Sequence, residues 1–288
     1  MDAVRFEDFS YHYPKTGKGL NRVMLAIPAG SFTVLTGANG SGKTTLCMAM
    51  TGLVPHFFGG SMSGRVLVDG QDTAGRPVAD IAAGVGLVME DYESQLVALT
   101  VFDEVAFALE NMAVPPELIR ERVLAALASV GLTGLEEREL SALSGGQKQR
   151  LAVASVLASQ PKLLVLDEPT SAMDPEGAGE LYALLAQLNK EQGITVVVAD
   201  HDLARALPYA DGVVVMAGGS VVLTGVPNEV FPQMLNQQIY SVAVPALRRL
   251  KAAMEANGTK FSAWMTAEEA AIEIDACLDP ARRLSLSA

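Results

Sequence analysis

The run Gly37–Thr44, GANGSGKT, constrains this chain more than any other feature of its sequence. It matches G-x-x-x-x-G-K-[ST], the phosphate-binding P-loop, and lies between the apolar run SFTVLT and a predicted helix from about Gly42 to Thr51. In that context the backbone N–H groups of the loop point at phosphate oxygens. Lys43 is predicted to supply charge to the β- and γ-phosphates, and the Thr44 hydroxyl to ligate Mg²⁺. The sequence therefore predicts a nucleotide site.

Two acids follow another apolar run, Leu163–Leu166. Asp167 and Glu168 would stand at the carboxyl end of a buried strand, where ligands bind in α/β sheets. Packing does not explain them, because burying charge is costly. We predict that Asp167 ligates Mg²⁺ and that Glu168 is the base or orienting group for an attacking water.

The run Leu143–Gln147, LSGGQ, is a second candidate phosphate-binding nest, since a serine and two glycines begin a predicted helix there. Together with the P-loop and the two acids, it resembles the ATP-binding subunits of ABC transporters, over roughly residues 3–230. The resemblance implies that ATP and Mg²⁺ are bound and that ATP is hydrolysed. It also implies a P-loop ABC ATPase fold of the α/β class.

The same resemblance implies a head-to-tail dimer with a second ABC ATPase subunit, identical or paralogous, that encloses two ATP molecules. One nest alone cannot cover both sides of a γ-phosphate. The residues implied to contact each ATP from one subunit are Gly37, Asn39, Gly40, Ser41, Gly42, Lys43, Thr44 and Thr45, and those from the other subunit are Ser144, Gly145, Gly146 and Gln147. By the same resemblance His201 contacts the γ-phosphate, and the loop 171–174, Ser-Ala-Met-Asp, communicates across the dimer.

An aromatic side chain near the amino terminus is expected to stack on adenine. Tyr13, just before Pro14, fits best, and Tyr11 on the same strand face is the alternative. Either ring is also compatible with a place in the core.

Two positions depart from the family pattern. Glu90 stands where a glutamine that binds Mg²⁺ or water is usual, and a carboxylate can still ligate Mg²⁺. Three interpretations compete: Glu90 replaces the glutamine directly, which we favour; the register is shifted and Gln95 is important elsewhere; or this subunit carries the weaker site of an asymmetric pair. The other departure is Asp200, before His201, for which we favour a side chain that points outward over one that raises the proton affinity of the histidine.

Strands that alternate with helices predict an α/β core. The domain prediction is an ABC ATPase domain over 1–230, with an antiparallel β subdomain and an inserted helical subdomain at about 90–160, followed by a C-terminal helical extension over 231–288. In the extension, Pro245–Met254 and Thr266–Leu278 are predicted amphipathic helices, the second capped by Thr266.

Composition restricts the partners and the location. The net charge of −12 argues against a nucleic-acid partner, because phosphate contacts need a basic surface. The uncharged stretches 23–42 and 44–64 are interrupted by glycine and proline, so no membrane span is predicted. The first residues lack a secretory signal, and two isolated cysteines fit a reducing cytosol. We expect a peripheral protein on the cytoplasmic face of the membrane.

The segments Glu93–Asn111 and Pro55–Gly60 resemble the ATPases of energy-coupling factor importers, which carry vitamins or transition-metal ions into prokaryotes. That resemblance implies an integral membrane T component with arginine-bearing coupling helices and a substrate-binding S component. Residues 90–122 hold eight acids against two arginines, so we expect an acidic groove there, with Asp91 or Glu93 as the contact.

Two other functions stay open on the sequence. The chain is alternatively the ATPase of another ABC importer group, or a soluble ABC ATPase outside transport. A third possibility, a catalytically poor regulatory subunit, rests on Glu90 and is opposed by the intact Lys43, Asp167, Glu168 and His201.

Overall fold

The computed structural model describes residues 1–171, 173–256, 261–262, 264 and 267–278. In chain order the strands are β1 (Asp2–His12), β2 (Gly19–Pro28), β3 (Phe32–Gly37), β4 (Ser61–Val68), β5 (Gln71–Asp72), β6 (Val85–Val88), β7 (Leu163–Asp167), β8 (Thr195–Ala199), β9 (Gly212–Ala217) and β10 (Ser220–Gly225). The helices are α1 (Lys43–Met50), α2 (Leu53–His56), α3 (Val78–Ala82), α4 (Val101–Asn111), α5 (Pro116–Ser129), α6 (Gly145–Leu157), α7 (Pro175–Gln192), α8 (Leu203–Ala206), α9 (Pro227–Asn236), α10 (Ala246–Glu255) and α11 (Ala267–Leu278).

The central sheet has the order β10-β9-β3-β8-β7-β6. Its strands from β9 to β6 pair in parallel, and β10 pairs antiparallel at one edge. Every residue of β3, β7 and β8 is buried, as expected for parallel strands that are covered on both faces. The carboxyl ends of these three strands meet at one edge, which brings the P-loop, the acids 167–168 and the turn 200–201 together. The predicted α/β class is confirmed.

A smaller antiparallel sheet, in the order β2-β1-β4-β5, forms the amino-terminal layer. It shares a core with helix α1, in which Phe6, Phe9 and Leu46 are buried. The turn between β9 and β10 joins this layer to the P-loop: the N–H of Asn21 donates to the Gly219 carbonyl at 2.8 Å, and the Gly219 N–H donates to the Ser41 carbonyl at 2.9 Å. Both sheets therefore hold the P-loop in place.

The segment between β6 and β7 is mainly helical, as predicted. Its first two α-helices, α4 and α5, are separate because Pro115 and Pro116 begin the second one. Helix α6 passes so close to β6 that a Cβ atom added at Gly86 would lie 1.9 Å from Cγ1 of Val156. Glycine at that position lets the helical layer pack directly against the central sheet.

Helix α9 extends across the predicted domain boundary at residue 230. Val230, Phe231 and Met234 are all buried in the core of the central sheet, so that core continues beyond the boundary. Phe261, Trp264 and Ala270 form a separate small cluster with residues of α10 and α11. The division at 230 stays a prediction. Thr266, the predicted cap of the last helix, lies outside the described residues, and so do the side chains of Ala267 and Leu278.

Membrane insertion is not indicated by the helices that the structure describes. Within those residues no helix combines the length and the apolar character needed to cross a bilayer.

Candidate active site

The P-loop connects the carboxyl end of β3 to the start of α1. Three of its glycines have positive φ values, with Gly37 at 152°, Gly40 at 75° and Gly42 at 108°. At Gly37 a Cβ atom would lie 2.3 Å from the Met216 carbonyl oxygen, whereas at Gly40 it would meet nothing within 4 Å. Glycine is therefore required at the first position for packing against β9. At Gly40 the left-handed backbone leaves the space above the loop clear.

Lys43, Glu168 and His201 lie together at this edge. The Nζ of Lys43 is 3.5 Å from Oε1 of Glu168 and donates to the Gly37 carbonyl at 3.1 Å. Oε2 of Glu168 lies 3.4 Å from Nδ1 of His201. Glu168 has a φ of 47°, and its N–H donates to the Ala199 carbonyl of β8 at 2.8 Å. One carboxylate thus bridges the P-loop lysine and the histidine after β8.

Asp167 and Thr44 form the part of the site that fits a metal ion. Asp167 is 3% exposed, and within the described part of the chain its Oδ1 has no hydrogen-bond partner. Burial raises the pKa of Asp167, and a hydrogen bond from Thr44 opposes that shift. The negative charges of Glu168 and Glu90 raise this pKa further. A buried carboxylate oxygen without a partner, surrounded by other acids, suits a hard cation such as Mg²⁺.

Glu90 and Gln95 have different surroundings. Glu90 is exposed two residues beyond the end of β6, close enough to Asp167 for its charge to act on that group. Gln95 is partly buried and holds the end of β6: its Oε1 accepts from the Met89 N–H at 2.8 Å, and its Nε2 donates to the Leu87 carbonyl at 3.2 Å. Gln95 therefore has a backbone-holding role, and the direct replacement interpretation for Glu90 stays a prediction.

The two candidate tyrosines differ in exposure. Tyr11 is fully buried, and its hydroxyl donates to the Gly59 carbonyl at 2.8 Å. Tyr13 is partly exposed, and its hydroxyl lies 3.3 Å from Oγ1 of Thr45 in helix α1. Phe58 packs edge-on against Tyr13 with ring centroids 6.0 Å apart, a neighbour that the sequence did not identify. Of the two tyrosines, Tyr13 has a ring available to a base next to the P-loop.

The second nest lies at the start of α6, away from the P-loop. Ser144 caps this helix by accepting from the Gln147 N–H at 3.3 Å, while the Gln147 side chain accepts from the Ser144 N–H at 3.0 Å. A cavity of about 560 Å³ opens there. Its lining consists of Gly131, Leu132, Ser144, Gly145, Gly146, Gln147, Arg150, Met173, Asp174, Glu176, Gly177 and Glu180. Among the described residues, the lining contains the nest and no P-loop residue, so the nest and the P-loop do not share a cavity within one chain.

The loop after Glu168 leads to this second cavity. Met173 and Asp174 line it, and Asp174 caps α7 by accepting from the Gly177 N–H at 2.8 Å. Ala172, within the predicted communication loop 171–174, lies outside the described residues. The chain after Glu168 therefore leads from the acids that follow β7 to the cavity at the second nest.

The prediction that Asp200 points outward is wrong. Its side chain is 1% exposed. Oδ2 accepts from the Tyr182 hydroxyl at 2.5 Å and from Oγ1 of Thr170 at 3.1 Å, and Oδ1 accepts from the Asp202 N–H at 2.8 Å. Three donors compensate the burial of the carboxylate, which the position after a strand did not indicate.

The acidic groove expected near residues 90–122, with Asp91 or Glu93 as its contact, stays a prediction. A cavity of about 650 Å³ lies between β6 and the helices α3, α4 and α6. Among the described residues that line it, the carboxylates are Asp80 and Glu104, and Asp91 and Glu93 lie outside. Glu104 is buried and accepts from the N–H groups of Val97 and Ala98, each at 2.8 Å. Most of the lining is apolar. Of the acids in residues 90–122, Glu104 accepts hydrogen bonds from nearby backbone N–H groups, and Asp91 and Glu93 are exposed outside the cavity.

Comparisons with known proteins show the family of this chain. A family model described as ABC transporter matches residues 20–171. A putative ABC transporter ATP-binding protein of Pyrococcus abyssi is 40% identical over 275 residues, which cover 95% of this chain and 98% of that protein.

Two solved structures share the fold. The first is cbiO1 from Clostridium perfringens, described as part of the ABC transporter complex cbiONQ, with a TM-score of 0.74, 34% identity, and coverage of 89% of this chain and 97% of that one. The second is a dimeric ATP-binding cassette solved in a post-hydrolysis state with ADP and Pi. It has a TM-score of 0.67 and 28% identity, and the match covers 77% of this chain and 98% of that one.

Proposed function

The chain belongs to the family of ABC transporter ATP-binding proteins, which are ATPases, and from that premise we propose that it drives an importer of the energy-coupling factor type. The observation that carries the hydrolytic part is the position of Glu168 between Lys43 and His201. The similarity to cbiO1, at 34% identity, supports the importer type. The substrate class is a vitamin or a transition-metal ion.

In the proposed reaction, the P-loop N–H groups and Lys43 hold the β- and γ-phosphates. Glu168 accepts a hydrogen bond from the attacking water and orients it, and it takes the proton as the bond to phosphorus forms. Lys43 and His201 donate to the γ-phosphate oxygens, where negative charge develops, while ADP leaves. Tyr13 stacks on the adenine.

Mg²⁺ would be held by Thr44, Asp167 and Glu90, together with phosphate oxygens. When bound, it neutralises charge on the phosphate oxygens. The unpartnered Oδ1 of Asp167 supports this assignment, and the effect of Glu90 on the pKa of Asp167 supports its inclusion.

Each ATP is proposed to lie between the P-loop of one subunit and the nest at Ser144–Gln147 of another. The P-loop and the nest, the two half-sites, do not share a cavity within the described part of one chain, which supports this arrangement, as does the dimeric post-hydrolysis cassette. Both half-sites are present in this one chain, so two copies can complete two sites. A paralogous cassette with the same groups can replace one copy.

The apolar cavity beside β6 is the proposed docking site of the T component. Phe107 is 49% exposed in its lining, and Gln95 links that lining to the strand that ends before Glu90. From there Tyr92 donates to the Gly145 carbonyl at 3.3 Å, and Glu93 pairs with Lys148 at 3.2 Å. Through these contacts, a movement of the residues that line the cavity is transmitted to the nest at Ser144–Gln147 and to the bound nucleotide. An S component would supply the substrate.

The test is to place an affinity tag on the full chain in its native cell and to purify it from detergent-solubilised membranes. We expect integral membrane proteins to co-purify, and ATP hydrolysis by the complex to increase when the transported substrate is supplied. Recovery of an active ATPase from the soluble fraction, without membrane proteins, would support the soluble class instead. Phe107→Ser should reduce co-purification, with Leu118→Ser, another exposed apolar residue outside the cavity, as the matched control.

A further inference from the structure

The buried carboxylate of Asp200 links three parts of the site that are distant in the sequence. Asp200 follows β8 directly, and its N–H donates to the Leu35 carbonyl of β3 at 3.0 Å, so its backbone is fixed by the central sheet. Its side chain reaches Thr170, in the turn after Glu168, and Tyr182, in the second turn of α7. We propose that Asp200 is a positioning residue for ATP hydrolysis. It fixes the position of His201 relative to Glu168. This inference rests on the proposed ATPase function of the site.

The donors around Asp200 leave it a single orientation. Tyr182 is 1% exposed, and its hydroxyl has the carboxylate as acceptor at 2.5 Å. Burial raises the pKa of Tyr182 strongly, and the charge of Asp200 adds to that shift, so the phenol stays protonated as a donor. Asp200 in turn accepts from the N–H of Asp202, which fixes the turn that contains His201. Its Oδ1 lies 3.6 Å from Nδ1 of His201.

The same carboxylate also fixes the side of the site that contains Glu168. Thr170 donates to Oδ2 of Asp200 at 3.1 Å, and the Ser171 N–H donates back to the Glu168 carbonyl at 3.2 Å. The turn 168–171 and the turn 200–202 are therefore tied to one buried group. Because Oε2 of Glu168 and Nδ1 of His201 are 3.4 Å apart, a small shift of either turn separates the two groups that must act on the same phosphate.

Asn in place of Asp keeps the shape and disturbs the hydrogen bonds. The amide has one acceptor oxygen, and its NH₂ group must then face either the two hydroxyls or the N–H of Asp202. The side chain loses its fixed orientation, while the P-loop and Tyr13, which bind ATP, are not altered. The expected signature is a loss of turnover with little change in KM.

The experiment compares the purified full chain with Asp200→Asn, with Asp202→Asn as the matched control. Asp202 belongs to the same turn, its side chain is 37% exposed, and its carboxylate caps α8 and does not contact Thr170 or Tyr182. We expect Asp200→Asn to lower kcat for ATP at least about tenfold with KM within about twofold, and Asp202→Asn to stay within about twofold of the wild type. Equal kcat values for Asp200→Asn and the wild type would overturn the proposal, and so would equal losses in both variants.

Tyr182→Phe keeps the proposal testable if Asp200→Asn does not fold. It removes one donor and leaves the carboxylate in place, so kcat should fall about threefold with KM unchanged, and an unchanged kcat overturns the proposal. If both variants fold, the fold-decrease in kcat for the Asp200→Asn, Tyr182→Phe double variant should be smaller than the product of the two single fold-decreases, because the two residues act as a unit. If the wild-type chain does not hydrolyse ATP, the proposed function itself fails, which separates that outcome from a failure of this inference.

Discussion

The Nζ of Lys43 lies 3.5 Å from Oε1 of Glu168, so the P-loop lysine and the acid after β7 face each other across the site. Lys43 is 5% exposed, and Glu168 is the carboxylate partner of its charge. A γ-phosphate that enters the site competes for the same lysine. Oε1 of Glu168 is then available to a water, while Oε2 stays 3.4 Å from Nδ1 of His201.

Glu168→Gln is expected to lower kcat by at least about 100-fold, the lower end of the contribution of a general base. ATP affinity should be kept or increased, because Lys43 loses its competing carboxylate. Steady-state hydrolysis and calorimetric titration with ATP measure the two effects. Glu191→Gln, an exposed acid at the end of α7 that contacts Gln187, is the control and should behave as the wild type. Similar rates for Glu168→Gln and the control would exclude the assigned role.

Glu90→Gln is expected to raise the Mg²⁺ concentration for half-maximal hydrolysis about tenfold. The amide keeps an oxygen ligand and removes one negative charge beside Asp167, and the number of charged ligands sets affinity for hard cations. Asp91→Asn removes the neighbouring exposed charge and should leave the Mg²⁺ dependence unchanged. If Glu90→Gln leaves the rate, the Mg²⁺ dependence and transport all unchanged, Glu90 has no part in the site.

Gly86→Ala should destabilise the fold by about 1–3 kcal/mol, because the added Cβ atom would lie 1.9 Å from Cγ1 of Val156. Gly84→Ala is the matched control two residues earlier, where the nearest atom to an added Cβ is 4.0 Å away. Its free energy of unfolding should stay within about 0.5 kcal/mol of the wild type. Urea denaturation measures both. Equal stability of the two variants would show that α6 moves away from β6 at little cost.

The Cys47 thiol should make stability depend on alkaline pH. Burial raises the pKa of Cys47 well above its ordinary value, with an added contribution from the charge of Asp167. The folded chain keeps the proton, while the unfolded chain releases it above about pH 8.5. Stability is therefore complete below that pH and falls as pH rises toward the folded pKa, by at most about 1.4 kcal/mol per unit.

Cys47→Ala removes this contribution. Urea denaturation at several values between pH 8 and pH 10 should give a shallower decline for the variant than for the wild type. Identical slopes would mean that the thiol ionises equally well in the folded chain.

Much of the fold was predictable because its signals are local. The apolar runs that became β3, β7 and β8 are short and almost uncharged, which is typical of buried parallel strands. Since ligands bind at the carboxyl ends of such strands, the P-loop and Asp167 were expected there, and the family resemblance implied that His201 joins them. The division into α4 and α5 was also predictable, because Pro115 and Pro116 are a start signal for a new helix.

The rest of the site depends on contacts between distant segments. Asp200 is buried because Thr170 and Tyr182 donate to it, and no spacing in the sequence relates these three residues. Glu104 is buried because two loop N–H groups donate to its carboxylate. Sequence composition counts acids, and only tertiary structure shows which of them already have partners.

ATP-dependent association of the Glu168→Gln chain tests the central claim most directly, because the claim is that one ATP joins a P-loop to the nest of another subunit. Light scattering after size exclusion should give the monomer mass of 30.3 kDa without nucleotide and about twice that with ATP and Mg²⁺. Adding Ser144→Arg, which places a bulky side chain in the nest, should keep the mass at that of the monomer under saturating ATP. A double variant that dimerises equally well would contradict the account, and so would a Glu168→Gln chain that stays monomeric with ATP both alone and when mixed with a paralogous cassette.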